Sequence, residues 1–176
     1  MTVTNLASIT AAAANVKNSV SISAINTSTT LTTSGLLDGT YNLYAVDSAN
    51  NVSAALSATV AVDTTPPVAT NFSVNSSGDA ILMTIGETAT LAVFEGGAYS
   101  VSDSGSALSV TSASISGLVI TLNLSRAIPT GATVTFAYST SGIAVAGRWV
   151  DAAGNQLNNV TSRTITNNSN LQISVG

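Results

Sequence analysis

Apolar and polar residues alternate along most of this chain, in short segments that end at Gly, Asn, Asp or Ser. The alternation is clearest in residues 119–124 (VITLNL) and 134–138 (VTFAY). Such a period of two is typical of β-strands that turn one face to a core and the other to water. Val, Ile and Thr are plentiful, whereas the Leu, Glu, Lys and Arg mixture of helices is missing. The pattern therefore predicts an all-β protein.

The predicted strands fall into two groups on either side of a Pro-Pro pair at residues 66–67. Before the pair, the segments with strand character are 18–25, 40–46 and 55–63. In the first of them Val20, Ile22 and Ala24 would share one face. Two consecutive prolines cannot donate to a sheet and favour an extended chain, which is typical of a stiff link between domains.

The second group of predicted strands is longer. Its segments are 71–75, 80–86, 88–95, 97–102, 108–117, 118–125, 132–139, 143–151 and 160–167. Turn residues at Gly117 and at Pro129 and Gly131 separate three successive strands, which predicts a meander.

One phrase, V-D-x-A-x-N, occurs at 46–51 and again at 150–155. In each copy a strand ends at V-D, the chain reverses, and another strand begins. An Asp at such a turn accepts hydrogen bonds from backbone N–H groups two residues on, and Asn50 or Gly154 would take the left-handed conformation. The repetition predicts two β modules, with boundaries at 1–63, a linker at 64–67, and 68–176.

Charged residues are scarce. They make up 7% of the chain, the net charge is −4, and the basic residues are Lys17, Arg126, Arg148 and Arg163. Nucleic acids and anionic lipid surfaces both require clustered cations. The apolar runs also stay short of the roughly 20 residues of a membrane-spanning helix. We therefore expect neither a nucleic-acid partner nor insertion into a membrane.

Catalysis is predicted to be absent, because the chain has neither His nor Cys. These residues supply the commonest general base and the thiol nucleophile of enzymes. A glycosidase needs two carboxylates that face each other across a cleft, and the spacing of the two glutamates, Glu87 and Glu95, selects no such pair.

Two stretches resemble repeats of large bacterial surface proteins. Residues 36–53 (LLDGTYNLYAVDSANNVS), followed by ATVAVDTTPP at 58–67, resemble the end of a bacterial Ig-like repeat from giant surface adhesins. Residues 75–168 resemble the SwmB-type repeat, through VTSASISGLVITLNLS, VDAAGNQL and RTITNN. These resemblances imply two tandem antiparallel β-sandwich modules of Ig-like or Greek-key type, joined by the Pro-Pro link.

The same resemblances imply a non-catalytic structural segment that extends or displays other parts of a bacterial surface protein, outside the cell. Its partners would be neighbouring repeats or further copies of the chain. Two alternatives stay open: self-assembly into a fibre or surface layer by strand donation, and a module that binds a glycan or a protein. The tail at 171–175 (LQISV) fits strand donation, since Leu171, Ile173 and Val175 alternate after a polar run at 167–170 that we expect to be flexible.

Calcium is the one cofactor that the resemblance brings into consideration, because tandem adhesin repeats often bind it between modules. The candidate ligands are Asp38, Asp47, Asp63, Asp103 and Asp151. A calcium site takes roughly six to eight oxygens, and the sequence contains no D-x-D cluster. For Asp47 and Asp151, the competing interpretation is that each carboxylate only stabilises its own turn.

Two aromatic residues are candidates for roles of their own. Trp149, beside Arg148 and with Tyr138 nearby in sequence, has the makings of a sugar-stacking platform, but a single Trp in a sandwich is more often part of the core. Tyr41 is placed like the tyrosine of a tyrosine corner, whose hydroxyl binds the backbone a few residues upstream. We expect Trp149 in the core and Tyr41 in such a corner.

Overall fold

The computed structural model describes residues 18–23, 28–49 and 51–172. The regular structure of these residues consists of β-strands and two short 3-10 helices, so the predicted all-β class is confirmed. By its internal contacts the chain divides into two compact units, Met1–Thr64 (the first unit) and Thr65–Gly176 (the second unit). None of the described helices is long and apolar enough to cross a membrane.

In the first unit, the described strands form one antiparallel pair. β1 (Gly39–Asn42) pairs with β2 (Thr59–Val62), and Tyr41 lies opposite Val60. The Ig-like sandwich expected for this segment stays a prediction, because the described residues of the unit form a single two-stranded sheet.

The first predicted strand, at 18–25, is wrong for its described part. Residues 18–23 have no regular secondary structure. Val20 is 45% exposed and Ile22 is 73% exposed, so their alternation does not mark a buried face. A strand needs a partner for its backbone groups, and residues 18–23 pair with neither β1 nor β2. Ala24, the third residue of the predicted face, lies outside the described residues.

The described part of the second unit contains an eight-stranded sheet. Its strands are β3 (Ala69–Val74), β4 (Ala80–Ile85), β5 (Tyr99–Asp103), β6 (Ser106–Leu108), β7 (Val110–Ser116), β8 (Val119–Leu124), β9 (Val134–Tyr138) and β10 (Val160–Asn167). Their order across the sheet is β6-β5-β9-β10-β3-β4-β8-β7. The sheet folds over at the step from β10 to β3, and the two halves form the layers of a sandwich.

β10 belongs to both layers. Its first part, Val160–Ile165, pairs antiparallel with β9, and its last two residues, Thr166 and Asn167, pair parallel with Ser73 and Val74 of β3. The parallel step differs from the antiparallel arrangement expected throughout. The last strand of the unit, β10, runs in the same direction as the first strand, β3. By pairing with β9 in one layer and with β3 in the other, β10 connects the two layers of the sandwich.

Alternate residues of β8 and β9 form much of the core, as the sequence pattern predicts. The buried residues are Ile120, Leu122 and Leu124 in β8, and Val134, Phe136 and Tyr138 in β9. The rings of Phe72 and Phe136 join the two layers, with centroids 5.5 Å apart. Each fully buried side chain of this size stabilises the fold by about 1.5–3 kcal/mol. The apolar faces therefore hold the layers together.

Only the first half of the predicted meander forms. β7 and β8 make a hairpin whose turn holds Gly117 at φ +57°. The meander prediction is wrong for β9, because β8 already pairs with β4 on its other edge, and β9 pairs with β5 and β10. The connection between β8 and β9 passes through Ile128, which is fully buried, and carries the chain to the other layer. Alternation specifies the face of a strand, not its neighbours.

Two further predicted strands, at 88–95 and 143–151, are not strands in the structure. They contact each other through a bridge between Thr90 and Val150, with N···O distances of 2.7 and 2.9 Å, and through a hydrogen bond from the Val93 N–H to the Ala146 carbonyl at 2.8 Å. The second segment contains the 3-10 helix Val145–Gly147. Both segments hold continuous apolar runs, and such runs fit a buried irregular segment as well as they fit a strand.

Candidate functional site

The V-D-x-A-x-N phrase of the second unit forms a turn around one carboxylate. Oδ1 of Asp151 accepts hydrogen bonds from the backbone N–H groups of Ala153 and Asn155, each at 2.8 Å. Its Oδ2 accepts the Nδ2 amide of Asn155 at 2.9 Å, and its own N–H donates to the Asn155 carbonyl at 3.0 Å. Gly154 takes the predicted left-handed conformation, at φ +92°.

Asp47 makes the corresponding contacts in the first unit. Its Oδ1 accepts the N–H groups of Ala49 at 2.9 Å and Asn51 at 2.8 Å. Its Oδ2 accepts the Asn51 amide at 2.8 Å, and its N–H donates to the Asn51 carbonyl at 3.0 Å. Asn50, the other predicted left-handed residue, lies outside the described residues. These hydrogen bonds confirm the predicted role of both aspartates in their turns.

The turn contacts favour the charged form of each aspartate. The pKa of Asp47 is lowered, most strongly by the side-chain hydrogen bond from Asn51. For Asp151 burial raises the pKa, but the hydrogen bonds, led by those from Asn155, outweigh burial, so that the pKa is lowered. Because the folded pKa lies below the unfolded one, each turn stabilises the fold above about pH 4 and loses this contribution as the pH falls through the folded pKa.

Replacing Asp151 with alanine is expected to destabilise the second unit by about 2 kcal/mol, because two backbone N–H groups and the Asn155 amide lose a charged acceptor that is itself buried. Urea denaturation followed by the fluorescence of the single tryptophan measures this loss at neutral pH. As the pH falls below about 4 and through the lowered pKa of Asp151, the difference between the variant and the wild type should shrink, since protonation weakens the same hydrogen bonds. A constant difference across this range would contradict the role of the charge.

Asp47→Ala is the matched variant for the exposed copy of the turn. Its loss of stability should be smaller than that of Asp151→Ala, because water replaces the lost hydrogen bonds at an exposed site. Amide hydrogen exchange should accelerate at Ala49 and Asn51. Unchanged exchange at both amides would show that the carboxylate does not stabilise the turn.

Asp103 forms an ion pair at the end of β5. Its Oδ2 accepts a hydrogen bond from Nη1 of Arg126 at 2.8 Å, and the Asp103 side chain is 8% exposed. The hairpin to β6 turns through Ser104 at φ 48° and Gly105 at φ 90°, as two-residue hairpins require. The ion pair connects this hairpin to the segment that follows β8.

Asp38 and Asp63 lie at the same end of the β1–β2 pair, since Gly39 pairs with Val62. Oδ1 of Asp38 accepts both the N–H and the hydroxyl of Thr64, each at 2.6 Å. Asp63 directly follows β2 and is exposed. Among the five candidate calcium ligands, the first unit therefore brings these two to one end of its sheet, while Asp47 lies in its separate turn. In the second unit, the other two candidates lie on different elements.

Trp149 lies in the core. It is 1% exposed, and its Nε1–H donates to the hydroxyl of Tyr99 at 2.8 Å. The rings of Tyr99 and Tyr138 lie next to each other, with centroids 5.5 Å apart. Burial raises the pKa of Tyr99 to about 12, so its hydroxyl stays protonated. The core prediction is confirmed, and so enclosed an indole has no face to offer a sugar.

Tyr41 forms the predicted corner. Its hydroxyl donates to the carbonyl of Leu37, four residues upstream, at 2.8 Å. The contact fixes the start of β1 against the residues that precede it. Its role is therefore structural.

One surface feature escapes prediction from the sequence. A shallow, open groove lies between β3 and β10 in the second unit, lined by Thr70, Asn71, Phe72, Arg163, Thr164, Ile165 and Thr166. The guanidinium carbon of Arg163 lies 5.2 Å from the centroid of the Phe72 ring. The sequence shows Arg163 only as an isolated cation in the polar strand β10. Its aromatic partner, Phe72, lies in β3 at the opposite end of the unit's sequence, so the pair cannot be recognised from the sequence.

Comparison with known repeats supports part of the resemblance. Residues 62–142 match the model of the SWM_repeat family, described as a flagellar system-associated repeat. The match runs from the last residue of β2 to the loop after β9. No curated protein matches the chain. The Ig-like repeat expected in the first unit stays a prediction.

Solved structures of a bacterial S-layer protein are similar to part of the chain. Domains 1–6 of the surface layer protein SbsC are 20% identical, with a TM-score of 0.47, over 58% of this chain and 14% of that one. The N-terminal part of SbsC is also 20% identical, with a TM-score of 0.45, over 58% of this chain and 24% of that one. The chain thus spans about a quarter or less of these structures.

Proposed function

We propose that the chain is a non-catalytic structural segment of a bacterial cell-surface protein, in which the second unit serves as a spacer. The match to a flagellar system-associated repeat supports a place in the cell envelope. The observation that carries the proposal is the course of the chain through the second unit. Its first and last strands, β3 and β10, run parallel.

Because these strands are parallel, the chain enters the sandwich at one end and leaves it at the other. Asn167 pairs with Val74, at the opposite end of β3 from Ala69. β10 has 8 residues, which corresponds to roughly 26 Å at about 3.3 Å per residue. A unit with its ends at opposite poles adds its own length to a surface protein. Antiparallel terminal strands would instead bring the two ends together.

The chain is held in place after β10 as well. Ser169 is 4% exposed, and the N–H of Asn170 donates to the Ser76 carbonyl at 2.9 Å. The flexibility predicted for 167–170 is therefore wrong, because side-chain and backbone amides bond the run to neighbouring turns. A fixed exit sets the direction in which the chain leaves the unit, as a spacer requires.

The spacer role predicts resistance to force along the strands. The chain contains no cysteine, so cysteines introduced at Val68 and Leu171 can serve as attachment points, or handles, for pulling. Force between these two points acts on all backbone hydrogen bonds between β3 and β10 at the same time, because the strands are parallel. Handles at Ser76 and Leu171 lie near one end and load the same bonds one after another. In single-molecule pulling we expect the first pair to unfold at a roughly twofold higher force, because bonds loaded together share it. Equal unfolding forces would contradict the spacer role.

Self-assembly is the second candidate function. None of the described residues of the first unit is buried, and an isolated two-stranded sheet is marginally stable in water. A strand from another copy would complete such a sheet. The predicted donor is the tail at 171–175, of which Ile173 and Val175 lie outside the described residues.

Light scattering over a wide concentration range, with the full chain and a variant lacking 172–176, tests strand donation. If the mass of the full chain grows with concentration and that of the variant does not, strand donation is supported. If the full chain is a monomer at every concentration, strand donation is contradicted. Calcium binding stays a prediction for the five aspartates, and the same series with calcium and with chelator tests its effect on assembly.

A further inference from the structure

Backbone hydrogen bonds connect the two sides of the shallow groove between β3 and β10 at each of its ends. At one end, the N–H of Asn158 donates to the carbonyl of Pro67 at 3.1 Å. At the other end, Thr166 and Asn167 pair with β3. Between these points β3 and β10 do not pair with each other, and each strand has an irregularity on its other edge, β3 at Ala69/Asn71 against β4 and β10 at Val160/Arg163 against β9. A groove pinned in this way does not accept an added strand, but it is open to a small polar group.

Arg163 lies over the floor of this groove. Its guanidinium carbon is 5.2 Å from the centroid of Phe72, a cation–π contact, and Phe72 is 6% exposed. Phe72 is itself held by Phe136 in the core. Stacking on a fixed ring restricts the guanidinium, so that less conformational entropy is lost when a ligand binds to it.

The other two described arginines use their donors inside the second unit. Arg126 forms the ion pair with Asp103, and Arg148 donates to the carbonyl of Ile143 through two nitrogens, at 2.9 and 2.6 Å. Arg163 differs from both. Within the described ranges it makes its ring contact and neither a hydrogen bond nor an ion pair. Its N–H donors are therefore available to a ligand.

The rim of the groove supplies neutral polar groups. The exposed polar residues that line it are Thr70, Asn71, Thr164 and Thr166. The Thr70 hydroxyl donates to the Thr84 carbonyl at 3.3 Å and Asn71 Oδ1 accepts the Phe72 N–H at 2.8 Å, so these two residues offer a ligand the hydroxyl oxygen and the amide NH₂. A planar guanidinium with unused N–H groups recognises a carboxylate through two parallel hydrogen bonds. Hydroxyl and amide groups around such a pair match the hydroxyls of a sugar ring, since both sides can donate and accept. The chemistry that fits is a sugar that carries a carboxylate.

We propose that the Arg163 groove binds the carboxylate of an acidic sugar within a polysaccharide. One cation in the groove matches one carboxylate, and the net charge of −4 disfavours densely charged polymers such as nucleic acids. A single contact of this kind is weak, but a polysaccharide that engages several copies of the unit gains affinity through multivalency. The proposal goes beyond the spacer role and does not depend on it.

An NMR titration of the full ¹⁵N-labelled chain tests the proposal. The probes are tri-galacturonate and its neutral counterpart, tri-galactose. We expect tri-galacturonate to shift the Arg163 Nε–Hε signal and the amide signals of Thr164 and Thr166, with a Kd of about 1 mM or below. Tri-galactose should leave these signals in place. Arg163→Gln should weaken binding at least about tenfold, because the charge-assisted pair is lost.

Two controls keep the test specific. Ser114→Ala, on the exposed face of β7, should bind like the wild type, and the spectra of Arg163→Gln should show an intact sandwich. Absence of shifts at these signals up to about 10 mM tri-galacturonate, roughly ten times the expected Kd, would overturn the proposal. Equal affinity for acetate, or for an acidic tripeptide, would overturn the assignment to a sugar. The pulling experiment on the spacer role has an outcome independent of all of these.

Discussion

Trp149→Ala is expected to lower the free energy of unfolding of the second unit by about 4 kcal/mol, as deletion of a buried aromatic ring does. Trp149 is among the largest fully buried side chains, at 1% exposure. The alanine variant leaves a cavity in the core, and the Tyr99 hydroxyl loses the indole donor at 2.8 Å. Denaturation followed by circular dichroism measures the loss, because this variant no longer contains a tryptophan.

Two milder variants separate volume from hydrogen bonding at this position. Trp149→Phe keeps an aromatic ring but lacks the N–H, whereas Tyr99→Phe leaves the buried indole N–H without its acceptor. An unpaired buried donor costs about 1–3 kcal/mol. Both variants should therefore fall between the wild type and Trp149→Ala. If Trp149→Ala were as stable as Trp149→Phe, packing of the indole would not be what stabilises the sandwich.

Gly78→Ala is expected to cost the second unit about 3 kcal/mol, through backbone strain and overpacking together. Gly78 has φ +79°, and a Cβ there would press against the carbonyl oxygen of Ile128 and lie 2.7 Å from the Ser169 hydroxyl. Ile128 cannot move aside, since it is fully buried and its N–H donates to the Gly78 carbonyl at 2.9 Å. Thermal unfolding of the variant measures the cost.

Gly142→Ala is the matched control for the strain alone. Gly142 has φ +75°, and a Cβ there meets no atom within 4 Å. We expect it to cost only about 1–2 kcal/mol, the penalty of the left-handed conformation. Equal losses in the two variants would show that the contact of Gly78 with Ile128 is unimportant.

Features that depend on a few neighbouring residues were predictable from the sequence. The β7–β8 hairpin follows from alternation around Gly117, and the two aspartate turns follow from side chains that bond to nearby backbone. The Tyr41 corner spans five residues, 37–41. In each case the interacting groups lie close in sequence, so that the local pattern contains the whole interaction.

The arrangement of strands in space was less predictable. The alternation of β9 correctly identifies its buried face, but nothing local indicates that it pairs with β5 and β10. The parallel contact of β10 with β3 joins residues more than ninety positions apart in the chain. Pairing is decided by which apolar faces and edges remain after the other strands have paired, a property of the whole fold.

The candidate sites divide in the same way. Burial of Trp149 was predictable, because a large apolar ring in a strand-rich chain belongs to a core. The groove was not predictable, because it depends on the contact between Arg163 and Phe72, and these two residues lie far apart in the sequence. Sequence patterns therefore located the structural aspartates and missed the one described arginine that makes neither a hydrogen bond nor an ion pair.

The D-x-A-x-N turn is self-contained. Its hydrogen bonds join atoms within five consecutive residues, and the paired distances agree closely, for example 2.8 and 2.9 Å between the Asp Oδ2 and the Asn Nδ2 of the two copies. It forms equally well beside a two-stranded and an eight-stranded sheet. A turn that brings all its own partners can be duplicated or recombined into an unrelated β framework without compensating changes elsewhere, which makes it a portable element for the evolution of new modules.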